Sequence, residues 1–189
     1  MAIGINELNS GIGLLLDNEI YLVVEYHHVK PGKGSAFARV RLKNIKTDAV
    51  LERTFRSSER LEDIHLEEKS LEYLYHSGNG YHFMDHGSYE EMVISEEFLG
   101  ENTKFLLENL EVTGLCYNNK VLKVILPNFI VAQVIETEPG IRGDSSRSGT
   151  KSAKIATGAS IQVPLFINLD DWIKIDTRTG GQYVERVQK

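Results

Sequence analysis

The residue best placed to do chemistry in this chain is Lys33. It sits in Pro31-Gly32-Lys33-Gly34, between two runs rich in β-branched and aromatic residues, Glu19 to Lys30 and Ser35 to Ile45. Such runs favour strands, so the four residues are predicted to form the turn of a hairpin. Proline fixes φ and glycine accepts positive φ, which suits Pro31-Gly32 to the centre of a type II turn with Gly32 at positive φ. Gly32 and Gly34 leave Lys33 nothing to pack against. Strands of about ten residues, at ~3.3 Å each, would carry its amine ~30 Å from the hairpin base. That is the geometry of a probe. It is equally the sequence of an ordinary turn with a solubilising lysine. A phosphate loop of the Walker type fits less well, because Gly34, not Ser or Thr, follows the lysine and no helix signal comes next.

Other reactive residue types group less tightly. Arg39, Arg41 and Lys43 alternate along the strand that leaves the turn, so their side chains share one face. They form a basic stripe below Lys33, or an ordinary solvated sheet face. His82-Phe-Met-Asp-His86 could present two imidazoles, but not on one face if Tyr81 to Met84 is a strand. Zinc also wants a third ligand and an open position, so no metal site is expected. The single cysteine, Cys116, excludes an internal disulfide and a cysteine-based zinc site. Its setting, Gly114-Leu-Cys-Tyr117, reads as a strand with a packed thiol. Asp170-Asp171 reads as a turn between strands. No nucleophile elbow or triad pattern is present, so no catalytic residue and no cofactor are assigned.

The elements that must position these residues are strands. Short apolar runs are cut by the turn pairs Asp17-Asn18, Pro31-Gly32, Asn79-Gly80, Asn118-Asn119, Pro139-Gly140 and Thr179-Gly180. Many short strands at regular spacing suggest sandwiches or barrels. One helix is predicted, Ser95 to Glu108, interrupted by Gly100. Ser57 to Asp63 is polar and reads as a linker or short turn. A second break falls at Pro127-Asn128. Three modules follow: residues 1–64, 65–127 and 128–189. A module of about sixty residues buries only ~60% of its unfolded surface, so neighbours are expected to pack together and share stability.

The chain has 189 residues, 41% of them hydrophobic, enough for a real core. No run approaches the ~18 apolar residues of a membrane span, and the N-terminus lacks a signal-peptide layout. A cytoplasmic protein with no membrane partner is expected. The net charge of -6 is unevenly spread. Residues 1–64 carry nine basic and nine acidic groups, residues 65–128 four and eleven, and residues 129–189 eight and seven. Carboxylates are repelled by a phosphate backbone, so the middle third is a poor RNA contact and the two ends are better ones.

Several stretches resemble bacterial elongation factor P. Val29 to Asn44 resembles that family's tip hairpin, and Glu136-Thr-Glu-Pro-Gly-Ile-Arg-Gly-Asp144 its third-domain signature. Thr157 to Phe166, Ile173 to Gly180 and Tyr183 to Val187 are similar too, as are Tyr73-Leu-Tyr, Tyr81-His-Phe-Met and Pro127-Asn-Phe. The likeness spans nearly the whole chain, in the same order and spacing.

The resemblance implies an all-β fold of three small β-barrel domains in an L shape. An SH3-like (KOW-like) barrel comes first and two OB-folds follow. It implies a monomeric, non-enzymatic elongation factor that binds both ribosomal subunits beside the peptidyl tRNA. There it stimulates peptide-bond formation and relieves stalling at consecutive prolines. Lys33 would be the tip lysine, extended by a lysine-modifying enzyme and reaching toward the peptidyl-transferase centre, with Pro31, Gly32 and Gly34 as its loop. Candidate tRNA or rRNA contacts are Lys30, Arg39, Arg41 and Lys43. Gly143, Asp144 and Arg147 would approach the messenger RNA and small subunit in the exit site. Arg178, Tyr183 and Arg186 are the candidates in the C-terminal hairpin. Relatives carry β-lysine, an aminopentanol or nothing on the tip lysine; Lys33 excludes only the branch with a sugar-bearing arginine. The chain departs from the family where many relatives have proline at Ser152, and Gly180-Gly-Gln-Tyr183 holds one extra residue.

Two other classes stand beside this one. A hydrolytic or metal enzyme would need a site that the histidines and Asp170-Asp171 do not supply. A generic single-strand-binding OB protein would bind free oligonucleotide without ribosome or tRNA.

Overall fold

The computed structural model describes residues 2–32, 34–78, 80–138 and 149–188. Among them, sixteen strands and three short helical segments make an all-β fold of three antiparallel sheets. Contacts divide the chain into two compact units, residues 1–68 with 114–123, and residues 69–113 with 124–189.

The first sheet contains β1 (Ala2–Ile3), β2 (Gly13–Leu16), β3 (Glu19–Val29), β4 (Phe37–Asn44), β5 (Val50–Arg56) and β6 (Leu61–Ile64), in the order β1-β6-β2-β3-β4-β5. Asp17 and Asn18 both take positive φ and close the β2–β3 hairpin in two residues, as the right-handed twist of the strands prefers. Alternation along β4 turns Ala38, Val40 and Leu42 inward, where they pack with Leu14, Val23 and Phe55. Each large side chain fully removed from water contributes ~1.5–3 kcal/mol. The linker or short turn expected over Ser57 to Asp63 holds as a turn at its start, but β6 takes over from Leu61. Two charges at its centre mask the pattern, but Leu61 and Ile64 are both buried and β6 pairs with β1 and β2.

The second sheet contains β7 (Glu67–Ser77), β8 (Gly80–Asp85), β9 (Glu91–Ser95), β10 (Leu110–Tyr117) and β11 (Lys120–Ile125), in the order β11-β10-β7-β8-β9. The helix expected from Ser95 to Glu108 shrinks to one α-turn, α1 (Glu96–Leu99), followed by a 3-10 turn over residues 100–105. Gly100 breaks it at φ +53°, with ψ far from helical. Cys116 is buried on β10, as a packed thiol should be.

The third sheet contains β12 (Phe129–Thr137), β13 (Thr150–Ile155), β14 (Ser160–Pro164), β15 (Trp172–Asp176) and β16 (Gln182–Val187), in the order β14-β13-β12-β15-β16. Its core joins Ile130, Ala132, Val134, Ile155, Ile173 and Ile175, and Phe105 packs among them. The two glycines of the β15–β16 turn sit here. Gly180 and Gly181 both have positive φ, and a Cβ on Gly181 would lie 2.6 Å from the Phe105 ring. Asp170 and Asp171 form the turn entering β15, where the Asp171 carboxylate accepts the Asn168 amide at 2.8 Å. Among the described residues no helix is long and apolar enough to cross a membrane.

Candidate nucleic-acid interface

The hairpin β3–β4 builds the candidate site. Its last pair is Val29 with Phe37, so residues 30–36 form the tip loop. Lys30, Pro31, Gly32 and Gly34 are all exposed. Lys33 lies outside the described residues. The glycine that supplies the left-handed turn is Gly34, at φ +110°; Gly32 is not in that region, which corrects the type II assignment. Proline and glycine occur together in several turn types, and the dipeptide alone does not set which glycine takes positive φ. A Cβ on Gly32 would meet nothing within 4 Å, and one on Gly34 only Pro31 Cγ at 3.9 Å.

Below the tip, Arg39, Arg41 and Lys43 do share the solvent face of β4, opposite the buried Ala38, Val40 and Leu42. Their charges are not equal. Arg41 Nη1 donates to Glu25 Oε2 at 3.1 Å, from the neighbouring strand. Glu25 also bonds His27, and these two partners, the guanidinium first, hold its carboxyl below the usual range. Lys43 Nζ pairs with Asp48 at 2.8 Å, and Lys123 donates to the same carboxylate. Partial burial works against charge on Asp48, but hydrogen bonds from Lys123 and Lys43 outweigh it and keep the carboxyl low. Arg39 has no ion-pair partner among the described residues.

The middle sheet is a set of local acid–base pairs. His82 bonds Glu91 at 2.5 Å and stacks on Tyr75 with ring centroids 4.3 Å apart; Tyr75 donates to the same carboxylate. His86 instead bonds Glu72 at 2.9 Å, so the two imidazoles of His82-Phe-Met-Asp-His86 serve different carboxylates. No group of three or more metal-ligating side chains occurs among the described residues. Asp85 is buried between Lys69, at 2.8 Å, and the Gly87 amide, at 2.8 Å, which together hold it well ionised.

In the third sheet, Gly143, Asp144 and Arg147 lie outside the described residues. Arg178 folds back on Asp176 in a two-pronged bond, Nε to Oδ1 at 3.0 Å and Nη2 to Oδ2 at 2.6 Å, and its guanidinium lies over the Phe129 ring. Arg186 is 3.8 Å from Asp171. Tyr183 is half buried against the core. The candidate residues thus fall into two groups, the tip loop and β4 face of the first sheet and the β15–β16 hairpin of the third. Sequence reasoning missed Glu25 and Asp48, which neutralise two of the three stripe cations.

These features define an all-β protein of three antiparallel sheets with a basic strand face below an exposed tip loop, and the comparisons say which family it belongs to. Family models match end to end: the "Elongation factor P (EF-P) KOW-like domain" over residues 4–61, the "Elongation factor P (EF-P) OB domain" over 66–124, and "Elongation factor P, C-terminal" over 130–186. The chain is 47% identical over 184 residues to the elongation factor P of Moorella thermoacetica, covering 97% of this chain and 99% of that one. It is 49% identical over 181 residues to that of Caldicellulosiruptor saccharolyticus, covering 96% and 97%. A solved translation initiation factor eIF-5A family protein from Naegleria fowleri shares the fold over 67% of this chain and 98% of its own, with a TM-score of 0.52 and 16% identity. The chain belongs to the elongation factor P family.

Proposed function

We propose that this elongation factor binds the ribosome beside the peptidyl tRNA and stimulates peptide-bond formation where consecutive prolines stall it. The observation that carries the reading is the exposed tip loop around Lys33, held at the end of β3 and β4 by Gly34 in the left-handed region. Proline is a poor nucleophile and a stiff donor, so the peptidyl tRNA end spends much of its time out of line. A rigid probe beside it restricts that motion and favours a near-attack geometry. Each ~1.4 kcal/mol gained this way is worth about tenfold in rate. The protein supplies no base, acid or cofactor in this account, only position.

Lys33 is the reaching residue, extended by a lysine-modifying enzyme. Lys30, Arg39, Arg41 and Lys43 face tRNA or ribosomal RNA, with Arg39 the strongest because no described carboxylate neutralises it. The loop with Gly143, Asp144 and Arg147 meets messenger RNA and the small subunit, and the hairpin with Arg178, Tyr183 and Arg186 supports it. The domains are residues 1–64, 65–127 and 128–189, and the acidic middle one faces away from RNA. The factor acts as a cytoplasmic monomer. Reconstituted translation of a template with three consecutive prolines tests this: added protein restores full-length product there and leaves a proline-free template unchanged. Equal stimulation of both templates, or of neither, would refute it.

A further inference from the structure

One lysine of the third sheet points inward. Alternation along β13 buries Lys151, Ala153 and Ile155 on the core side and leaves Thr150 and Ser152 exposed. Lys151 is 8% exposed, while Lys154 on the same strand turns outward, 3.9 Å from Glu136. No carboxylate among the described residues pairs with Lys151. Its Nζ donates to a single acceptor, the Glu138 carbonyl, at 2.8 Å. An ammonium has three donors and is strongly hydrated, so burying it on one carbonyl costs free energy that a methionine there would not. Core stability does not account for it. The place of the acceptor does. Thr137 with Ala153 is the last pair between β12 and β13, so Glu138 is the first residue off the ladder. The Thr137 hydroxyl donates to the Ser152 carbonyl at 3.1 Å. Residues 139–148 follow, and the chain is held again at Gly149. There the Gly149 carbonyl accepts the Leu165 amide at 3.3 Å, and a Cβ would lie 2.4 Å from Leu165 Cδ1.

We infer that Lys151 is a positioning residue for the segment 139–148. Its ammonium replaces the missing ladder bond at Glu138 and fixes the direction in which the chain leaves β12. A charged donor suits this task, since a hydrogen bond from an ionised group is about twice as strong as a neutral one. A carboxylate partner would compensate the charge better but would leave the buried donor no reason to reach the carbonyl. Holding both ends of a segment lowers the ordering cost it pays on binding. Here the Lys151 bond holds one end and the Gly149–Leu165 contact the other. The inference rests on the ribosomal reading above, in which Gly143, Asp144 and Arg147 meet messenger RNA and the small subunit. It adds a residue, itself too buried to touch RNA, that acts through that segment.

The test uses the full chain with Lys151→Met, Lys151→Arg, Arg147→Gln, and Lys151→Met combined with Arg147→Gln. Rescue of proline-run synthesis is titrated with each protein. Lys151→Met should raise the half-saturating concentration roughly two- to thirtyfold and leave the maximum unchanged. Lys151→Arg keeps a charged donor of similar reach and should titrate like wild type. Arg147→Gln should also raise the half-saturating concentration. The double variant should be little worse than the more affected single, because both changes act through one segment. Thermal unfolding of Lys151→Met should match wild type or exceed it. By NMR, the carbonyl carbon of Glu138 should shift in Lys151→Met while the signals of the first sheet stay in place. A large loss of thermal stability in Lys151→Met, additive effects in the double variant, or an unmoved Glu138 carbonyl would overturn the inference. So would a folded Lys151→Arg protein no better than Lys151→Met. Failure of wild type to rescue proline runs would overturn the ribosomal reading alone, since the unfolding and NMR measurements do not depend on it.

Discussion

Gly34 and Gly32 flank the same lysine but should behave oppositely when given a side chain. At φ +110° a Cβ is strained whatever the space around it, and backbone strain of this kind costs ~1–3 kcal/mol. The surroundings add almost nothing, since the nearest atom to a Gly34 Cβ is Pro31 Cγ at 3.9 Å. Replacing glycine also restricts the unfolded chain, which offsets ~0.4–1 kcal/mol. The net loss for Gly34→Ala is therefore ~0–2.6 kcal/mol. Because the loop is exposed, part of the strain is relieved by turning the tip. Gly32→Ala meets neither problem, and should be neutral or stabilising by up to ~1 kcal/mol. For a domain of 60–100 residues, 1 kcal/mol moves Tm by ~4–8 °C. Thermal unfolding and proline-run synthesis, measured on both variants, separate the two effects. Gly34→Ala should lose activity out of proportion to any change in Tm, whereas Gly32→Ala should keep both. A Gly34→Ala protein with full activity beside an inactive Gly32→Ala protein would refute the assignment of the turn to Gly34.

Three further outcomes follow from the packing and charge described above. Asp48→Asn keeps a residue that tolerates the left-handed backbone at φ +59° and releases Lys43, so ribosome affinity at low salt should rise and its salt slope steepen by about one. Asp85 is held below the usual carboxylate range by Lys69 and the Gly87 amide, so its stabilising effect is present above the unfolded carboxyl pKa and is lost as pH falls through the lower folded value. Chemical denaturation of wild type and Lys69→Met should therefore differ by ~1–3 kcal/mol at neutral pH, with the gap closing in strong acid. Gly181→Ala combines φ +97° with a Cβ 2.6 Å from Phe105, and calorimetry should show a loss of ~2 kcal/mol or more.

The sequence is most legible where local chemistry decides the structure. Asp17-Asn18 and Asn118-Asn119 mark two-residue hairpins because both positions need positive φ, which these residues tolerate. The shared face of Arg39, Arg41 and Lys43 follows from the period of a strand. What partners those cations is not local. The Arg41–Glu25 bond spans sixteen residues and depends on the register of β3 against β4, which shifts between Val23 and Glu25. Asp48 offered a faint signal, since it lies in the turn whose amides at Lys46 and Thr47 are capped by the buried Asn44. The strand β6 was hidden by the Glu62-Asp63 pair at its centre, and the predicted helix was cut short by a single glycine.

The central claim is that the tip lysine delivers the activity while the rest of the protein holds it in place. Lys33→Ala compared with wild type, in reconstituted synthesis through three consecutive prolines, tests this most directly. The described neighbours Pro31, Gly32 and Gly34 are exposed, so the change should leave Tm nearly unaltered, within about 0.5 kcal/mol of stability. The expected result is loss of most of the rescue with ribosome binding reduced far less. Full rescue by the alanine variant would contradict the account.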